Sequence, residues 1–331
     1  MRLLTATLRT AGVLLYWLGL HRVIIWLNRR QVRVLLYHAC EETESDFIRG
    51  LQSNTPPDVL ARHLDFLRRY YNVVPATALP DGNLPDRAAV ITFDDGYDSV
   101  RTSAFPLLRA RGLPATIYLV SGVIGNRALV WVNALNWLLR RHPATTRPLV
   151  SETHPDTTGR PVEAVLNIIR DNYDPELVSA LIERSFRAAG ADPASVSRDA
   201  GLYLTEDGIV ELAANGITFG NHTRSHPNLA RLSLAQQRAE MLEAEEALAG
   251  HPGWVESLAY PFGDHTTDTR QLALSLGYES VMLVGGVRAP LDRSRVSRVP
   301  VSPSGTATFF AEVEVVAPMK GLLRKLIRRA A

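Results

Sequence analysis

Short apolar runs alternate along most of this chain with longer segments in which apolar residues recur every three or four positions. A short run rich in β-branched and aromatic residues reads as a buried strand. The wider spacing reads as a helix with one buried face. The runs at 32–37, 88–93, 115–120, 217–219, 257–260 and 281–284 are the predicted strands. Between the first two, Pro56-Pro57-Asp58 opens a helix with Leu60, Leu64 and Leu67 on one face and Arg62, Arg68 and Arg69 mostly off it. Asp98 or Ser99 is placed to cap a helix that runs to Arg111 and stops at Gly112. Further helices are expected over 205–214, over 233–250 behind a capping box of Ser233 and Gln236, and over 267–276 with Gly277 as its stop. At least six alternations with short connections predict an α/β fold, a parallel sheet closed or nearly closed as a barrel.

The rhythm breaks between about 125 and 203. Trp131 and Trp137 fall on an expected helix, a polar stretch rich in Pro and Thr covers 142–161, and a helical pattern follows at 176–189. A segment of this size folds alone only marginally, so it reads as an insertion, in the manner of a lid, within a barrel spanning 31–310. Residues 1–30 form a separate apolar and basic segment. Arg2 and Arg9 precede the run 11–20, His21-Arg22 interrupts it, and a second run at 23–27 ends in Arg29-Arg30. Three readings stay open: an interfacial amphipathic helix with Trp17 and Trp26 at the boundary, an uncleaved anchor, or an ordinary core helix. Residues 318–331 read as a basic amphipathic helix. Together the two ends point to association with a membrane surface, peripheral or through the N-terminal segment, on a side that the sequence leaves open.

Composition narrows the function. The chain has 331 residues, 46% of them apolar, enough for a sizeable core. With 36 basic and 34 acidic residues it lacks the charge imbalance of a nucleic-acid binder. The single cysteine, Cys40, excludes an intrachain disulfide framework and a cysteine-based zinc site.

The chemistry-bearing residues gather where strands end. They are His38, Asp94-Asp95, His222 with His226, and Pro261-Phe262-Gly263-Asp264-His265. In α/β folds the carboxyl ends of the strands face the ligand crevice. Two adjacent carboxylates repel, and a metal, a cationic side chain or a shared proton must answer that repulsion; a divalent ion is one such answer. Asp95, His222 and His226 supply the one-carboxylate, two-imidazole set that leaves coordination positions open on a divalent ion. Asp94 then stays free beside the ion, placed as a general base on activated water.

Thr92-Phe93-Asp94-Asp95-Gly96, His222-Thr223-Arg224-Ser225-His226 and Ala259-Tyr260-Pro261-Phe262-Gly263 resemble, in order and spacing, the first three motifs of the polysaccharide deacetylases, carbohydrate esterase family 4. The resemblance covers roughly 31–300 without the insertion. Val34-Leu35-Leu36-Tyr37-His38 and the Ala-Tyr-Pro-Phe form look like the poly-N-acetylglucosamine deacetylase branch. The family implies a distorted (β/α) barrel and metal-dependent removal of N-acetyl groups from an amino-sugar glycan or glycolipid. It implies Asp94 as base, Asp95, His222 and His226 as ligands of an ion that is usually zinc, and the Phe262 N–H as an oxyanion donor.

Two departures from the family pattern stand out. The arginine that usually opens the third motif is Ala259 here, and Arg298 is the candidate to supply that cation instead. The late motif that carries the acid histidine is missing, since no histidine follows Pro300. His38 is the first substitute and His265 the second. The sequence also leaves two other readings open: an O-acetyl esterase on a polysaccharide, and a metal-containing glycan-binding protein without catalysis. No Gly-x-Ser-x-Gly elbow, His-Glu-x-x-His helix or phosphate-binding glycine loop is present.

Overall fold

The computed structural model describes residues 2–286 and 291–322. Its centre is a ring of parallel strands: β1 (Arg33–Tyr37), β3 (Ala88–Phe93), β4 (Thr116–Leu119), β5 (Thr218–Asn221), β6 (Trp254–Ala259), β7 (Ser280–Val284) and β8 (Val296–Pro300). β1 pairs with β3 on one side and β8 on the other, which closes a seven-stranded barrel. β2 (Asn72–Val73) adds a short parallel pairing beside the start of β3. Helices wrap the ring, so the expected (β/α) barrel is the fold observed. Every residue of β1, β3 and β4 is buried, as expected of strands covered on both faces.

The period of two sorts these strands into an outer and an inner face. Leu35, Tyr37, Ile91, Phe93, Ile117, Leu119, Phe219 and Val299 point outward. They pack with helix residues such as Leu60, Leu64, Leu67, Phe105, Leu108 and Leu212. Val34, Val90, Tyr118, Ala259, Met282 and Val296 form a smaller cluster inside the ring. Continuing the inner parity toward the strand ends gives His38 after β1, Thr92 and Asp94 on and after β3, His222 after β5, and Arg298 on β8. The barrel's inner face is therefore apolar at its base and ionisable at its mouth.

Three details differ from the sequence reading. Arg298 does not follow the last strand but lies within β8, a strand that the short Val-Ser-Arg-Val run conceals. Ser99 occupies the N-cap position of the helical turns Val100–Ala104 and Phe105–Arg109 without capping them; its Oγ accepts from the Cys40 N–H at 3.0 Å, and Asp98 pairs with Arg101 at 2.8 Å. The Pro- and Thr-rich stretch contains a helix, Pro143–Thr153, which tolerates Pro148 because Thr146 and Val150 anchor its inner side. The predicted C-terminal helix at 318–331 lies outside the described residues beyond Leu322.

The insertion comprises the helices Trp131–Arg141, Pro143–Thr153, Val162–Asp171, Pro175–Ala189 and Pro193–Ala200. They share an apolar cluster that includes Leu135, Leu138, Val165, Ile169, Leu181 and Phe186 and extends to Tyr97 and Tyr203 beside the barrel mouth. Two more helices, Arg2–Trp17 and His21–Leu27, precede β1.

Candidate active site

Asp94 and Asp95 leave β3 in opposite directions. Asp94 keeps the inward parity of the strand, while Asp95 takes a positive φ of 73° and Gly96 one of 76°. That left-handed pair turns the chain so that adjacent carboxylates face different partners. The same strain recurs around the mouth. Of the seven non-glycine residues with positive φ among the described residues, Asp95, Thr223, His226 and Phe262 all belong to the three motif loops. Such conformations persist only where the surroundings enforce them.

Asp94 is held by Arg298 in a two-pronged ion pair. Nη1 donates to Oδ1 and Nη2 to Oδ2, both at 2.6 Å, with Arg298 wholly buried. Nη1 also lies 3.3 Å from the Thr92 hydroxyl, and the guanidinium sits 5.4 Å from the Tyr118 ring centroid. Burial opposes ionisation of Asp94. The charges of Arg298 and His222 outweigh it and hold the carboxyl below the usual range. The cation beside Asp94 is thus Arg298, while position 259 carries an alanine. Ala259 keeps a different task through its backbone: its carbonyl accepts from His222 Nδ1 at 2.8 Å. With Nδ1 carrying the proton, His222 presents the Nε2 lone pair to the mouth.

Asp95, His222 and His226 converge. Both imidazole Nε2 atoms lie 3.3 Å from Asp95 Oδ1, and one ligand atom from each residue fits within 4.8 Å of the others. Asp95 Oδ1 is buried and makes no regular hydrogen bond. A buried acceptor without a hydrogen-bond partner, set between two imidazoles, makes a donor set that suits a divalent ion. Burial would raise the Asp95 carboxyl, but the neighbouring histidines hold it well below its ordinary value.

His38 stands at the edge of this group. It is half-buried. Desolvation lowers its pKa in spite of the Asp95 and Asp94 charges nearby. His265 is held elsewhere: its ring stacks on Tyr260 with centroids 5.3 Å apart, and Nδ1 bonds to the Gly263 carbonyl at 3.0 Å. Phe262 sits against the ligand set, its ring 4.7 Å from that of His226. The turn's own hydrogen bonds run from the N–H groups of Gly263 and Asp264 to the carbonyls of Tyr260 and Pro261, and leave the Phe262 N–H outside them.

Sequence reading missed the support that the insertion gives. Trp131 is buried, and its Nε1–H donates to the His226 carbonyl at 3.0 Å. Trp137 packs between Phe47 and Phe186. Both tryptophans are therefore packed into protein rather than offered as free faces. Asn133, fully buried on the same helix, donates to the Tyr97 hydroxyl at 3.0 Å, and burial together with the nearby Asp95 charge pushes the Tyr97 phenol up. The Tyr203 hydroxyl donates to Asn133 Oδ1 at 2.8 Å, while its oxygen accepts from the Val130 N–H at 3.0 Å. The signal available was Asn133 itself, an amide on the side of the helix opposite the face formed by Trp131, Ala134, Leu135 and Leu138.

Comparison with known proteins agrees with this geometry. A family model described as polysaccharide deacetylase matches residues 81–281. The Bacillus subtilis (strain 168) protein named "Putative polysaccharide deacetylase YxkH" is 20% identical over 286 residues, which cover 84% of this chain and 74% of that one. Three solved structures are similar in fold. The Streptococcus pyogenes deacetylase PplD in complex with acetate has a TM-score of 0.55 at 17% identity, covering 86% of this chain and 98% of its own. IcaB from Ammonifex degensii gives 0.53 at 18% identity, with coverage of 86% and 98%. A de-N-acetylase from Aggregatibacter actinomycetemcomitans gives 0.55 at 15% identity, with coverage of 86% and 100%. With the family model spanning more than half of its length, this chain belongs to the polysaccharide deacetylase family.

Proposed function

We propose that this chain is a metal-dependent hydrolase that removes N-acetyl groups from an amino-sugar-containing glycan or glycolipid. The observation that carries the reading is the division of labour at Asp94-Asp95. One carboxylate is gripped by Arg298, and the other lies unsatisfied between two histidines. A purely structural metal site would need Asp95, His222 and His226 but not a second carboxylate kept ionised beside them, which disfavours a non-catalytic role.

Asp95, His222 and His226 would hold the ion, for which zinc is the first candidate. When bound, it would polarise the amide carbonyl and make water acidic enough to lose a proton near neutral pH. Asp94, ionised by its pairing with Arg298, takes the proton of the attacking water. The Phe262 N–H, which lies outside the turn's own hydrogen bonds, donates to the oxygen that gains charge as water adds to the carbonyl. His38 gives a proton to the leaving amine, which departs as the free amino sugar while acetate forms. Association with a membrane, at the surface or through the N-terminal segment, completes the reading; its physical basis is the N-terminal helix pair.

The direct test is acetate release from N-acetylglucosamine oligomers and from a lipid-linked N-acetylhexosamine. Release that stops with a chelator and returns with added zinc supports the reading. Acetate released from O-acetylated but from no N-acetylated glycan would replace it with an esterase. Release from neither would favour the glycan-binding alternative.

A further inference from the structure

The N-terminal helix pair has one face fixed to the barrel and one left to solvent. On the fixed face, Ile25 is buried and the Tyr16 ring packs on Phe310 and Phe66 at centroid distances of 5.8 and 6.4 Å. His21 Nε2 is 3.1 Å from the Tyr70 hydroxyl. Asn28 Nδ2 donates to the Glu314 carbonyl at 3.1 Å and to its carboxylate at 2.8 Å. A Cβ on Gly12 would overlap Ala311, so the first helix rests directly on the backbone of the segment after β8.

The other face is unusually apolar. Nine of the fifteen exposed large hydrophobic residues among the described residues fall within 3–27. Leu14, Trp17, Leu18, Val23, Trp26 and Leu27 are each more than half exposed. Monomeric soluble proteins rarely gather such a patch without a partner for it. The charge is equally one-sided. The first forty residues contain six arginines and no acid. Arg9, Arg29 and Arg33 pair with Glu312, Asp86 and Glu314, while Arg22 and Arg30 are exposed.

Geometry separates lying on a bilayer from crossing it. No single described helix is long and apolar enough to cross, and the pair reaches that length only together, bent by 115°. Straightening it would pull Tyr16, His21, Ile25 and Asn28 off the barrel. Lying flat costs none of those contacts. We propose that the exposed face of Arg2–Trp17 and His21–Leu27 seats in the headgroup boundary of an anionic bilayer, with both helices along its plane and the barrel held at the surface. Trp17 and Trp26 suit that depth, since indole joins an apolar body to a polar N–H. Arg22 and Arg30 supply attraction to anionic lipid. A second copy of the chain is a poorer occupant, because a two-fold contact would set this basic face against itself. The seat goes beyond the hydrolytic chemistry and does not depend on it.

The test is cosedimentation of the full chain with vesicles of phosphatidylcholine alone and of phosphatidylcholine mixed with phosphatidylglycerol. Binding to the mixed vesicles, weak binding to the neutral ones and release by alkaline carbonate are expected. The Trp17→Ser/Trp26→Ser variant should lose affinity by roughly a hundredfold. Arg22→Gln/Arg30→Gln should abolish the preference for phosphatidylglycerol. Both variants should release acetate from soluble oligomers as the parent does, so a failure of the seat and a failure of the chemistry are read separately. No sedimentation with either vesicle, or a dimer in solution that the tryptophan variant dissociates, overturns the proposal. Retention after carbonate overturns it in favour of a span. Equal binding to both vesicles overturns its electrostatic half.

Discussion

Two buried arginine–carboxylate forks sit at opposite ends of the same barrel. At the mouth, Arg298 grips Asp94 with both contacts at 2.6 Å. At the base, Arg33 grips Glu314 with both contacts at 2.9 Å, and each side chain is about as buried as the mouth pair. The difference lies in what surrounds them. Glu314 is saturated: Tyr71 donates to Oε1 at 2.5 Å and Asn28 to Oε2 at 2.8 Å, and it sits in the π-helical turn Ala311–Val316, where no residue takes a positive φ. Asp94 has beside it an unsatisfied Asp95 Oδ1 and backbone held at positive φ. The same ion pair closes a structure where every lone pair is used. It prepares a reaction where neighbours are left with valence to spare.

Glu314→Leu separates the two ends most sharply. It leaves the Arg33 guanidinium buried without a counter-charge, and stability should fall by about 3–5 kcal/mol. Urea unfolding measures this, and Arg33→Met/Glu314→Leu should recover most of the loss. Acetate release by the folded fraction should stay at the parent level. Unchanged stability in Glu314→Leu would show that the base fork is not what ties the N-terminal helices, β1 and the helical turn Ala311–Val316 together.

The mouth fork should respond in the opposite sense. In Arg298→Met, turnover should drop by about a hundredfold or more while stability changes less, because Asp94 can escape an unpaired burial by taking a proton. The sign of the pH effect follows from Arg298 holding Asp94 ionised. Without that cation the carboxyl protonates at higher pH, so the acidic limb of the rate profile moves upward. A limb that stays in place would mean that Asp94 does not set it. The smallest of these effects is expected from His38→Ala, a loss of about ten- to a hundredfold in turnover with metal content intact. Unchanged turnover there would put the acid elsewhere.

The comparison also explains what the sequence could reveal. Asp94, Asp95, His222 and His226 were legible because each stands just past an apolar run, and strand ends converge in a parallel barrel. Arg298 was visible as a candidate but misplaced beyond the last strand. The parity rule that carries Val296 and Arg298 to the inner face needed β8 to be recognised, and a run broken by Ser297 and Arg298 gives little hydrophobic signal. Arg33 and Glu314 were invisible. They lie far apart in sequence, and each reads alone as a surface charge. The pairing of Asn133 with Tyr97 beside Asp95 was hidden for a related reason. It depends on where the insertion folds back against the barrel, which local periodicity does not encode. His265 shared the strand-end signal with the site residues, and only the turn at Phe262 directs its ring toward Tyr260 instead.

The claim that Asp94 and Asp95 carry separate tasks is tested most directly by metal content and acetate release measured on the same sample of Asp94→Asn. The account predicts metal at the parent stoichiometry with turnover reduced by about a thousandfold or more. Loss of the metal together with activity, or retention of both, would contradict it.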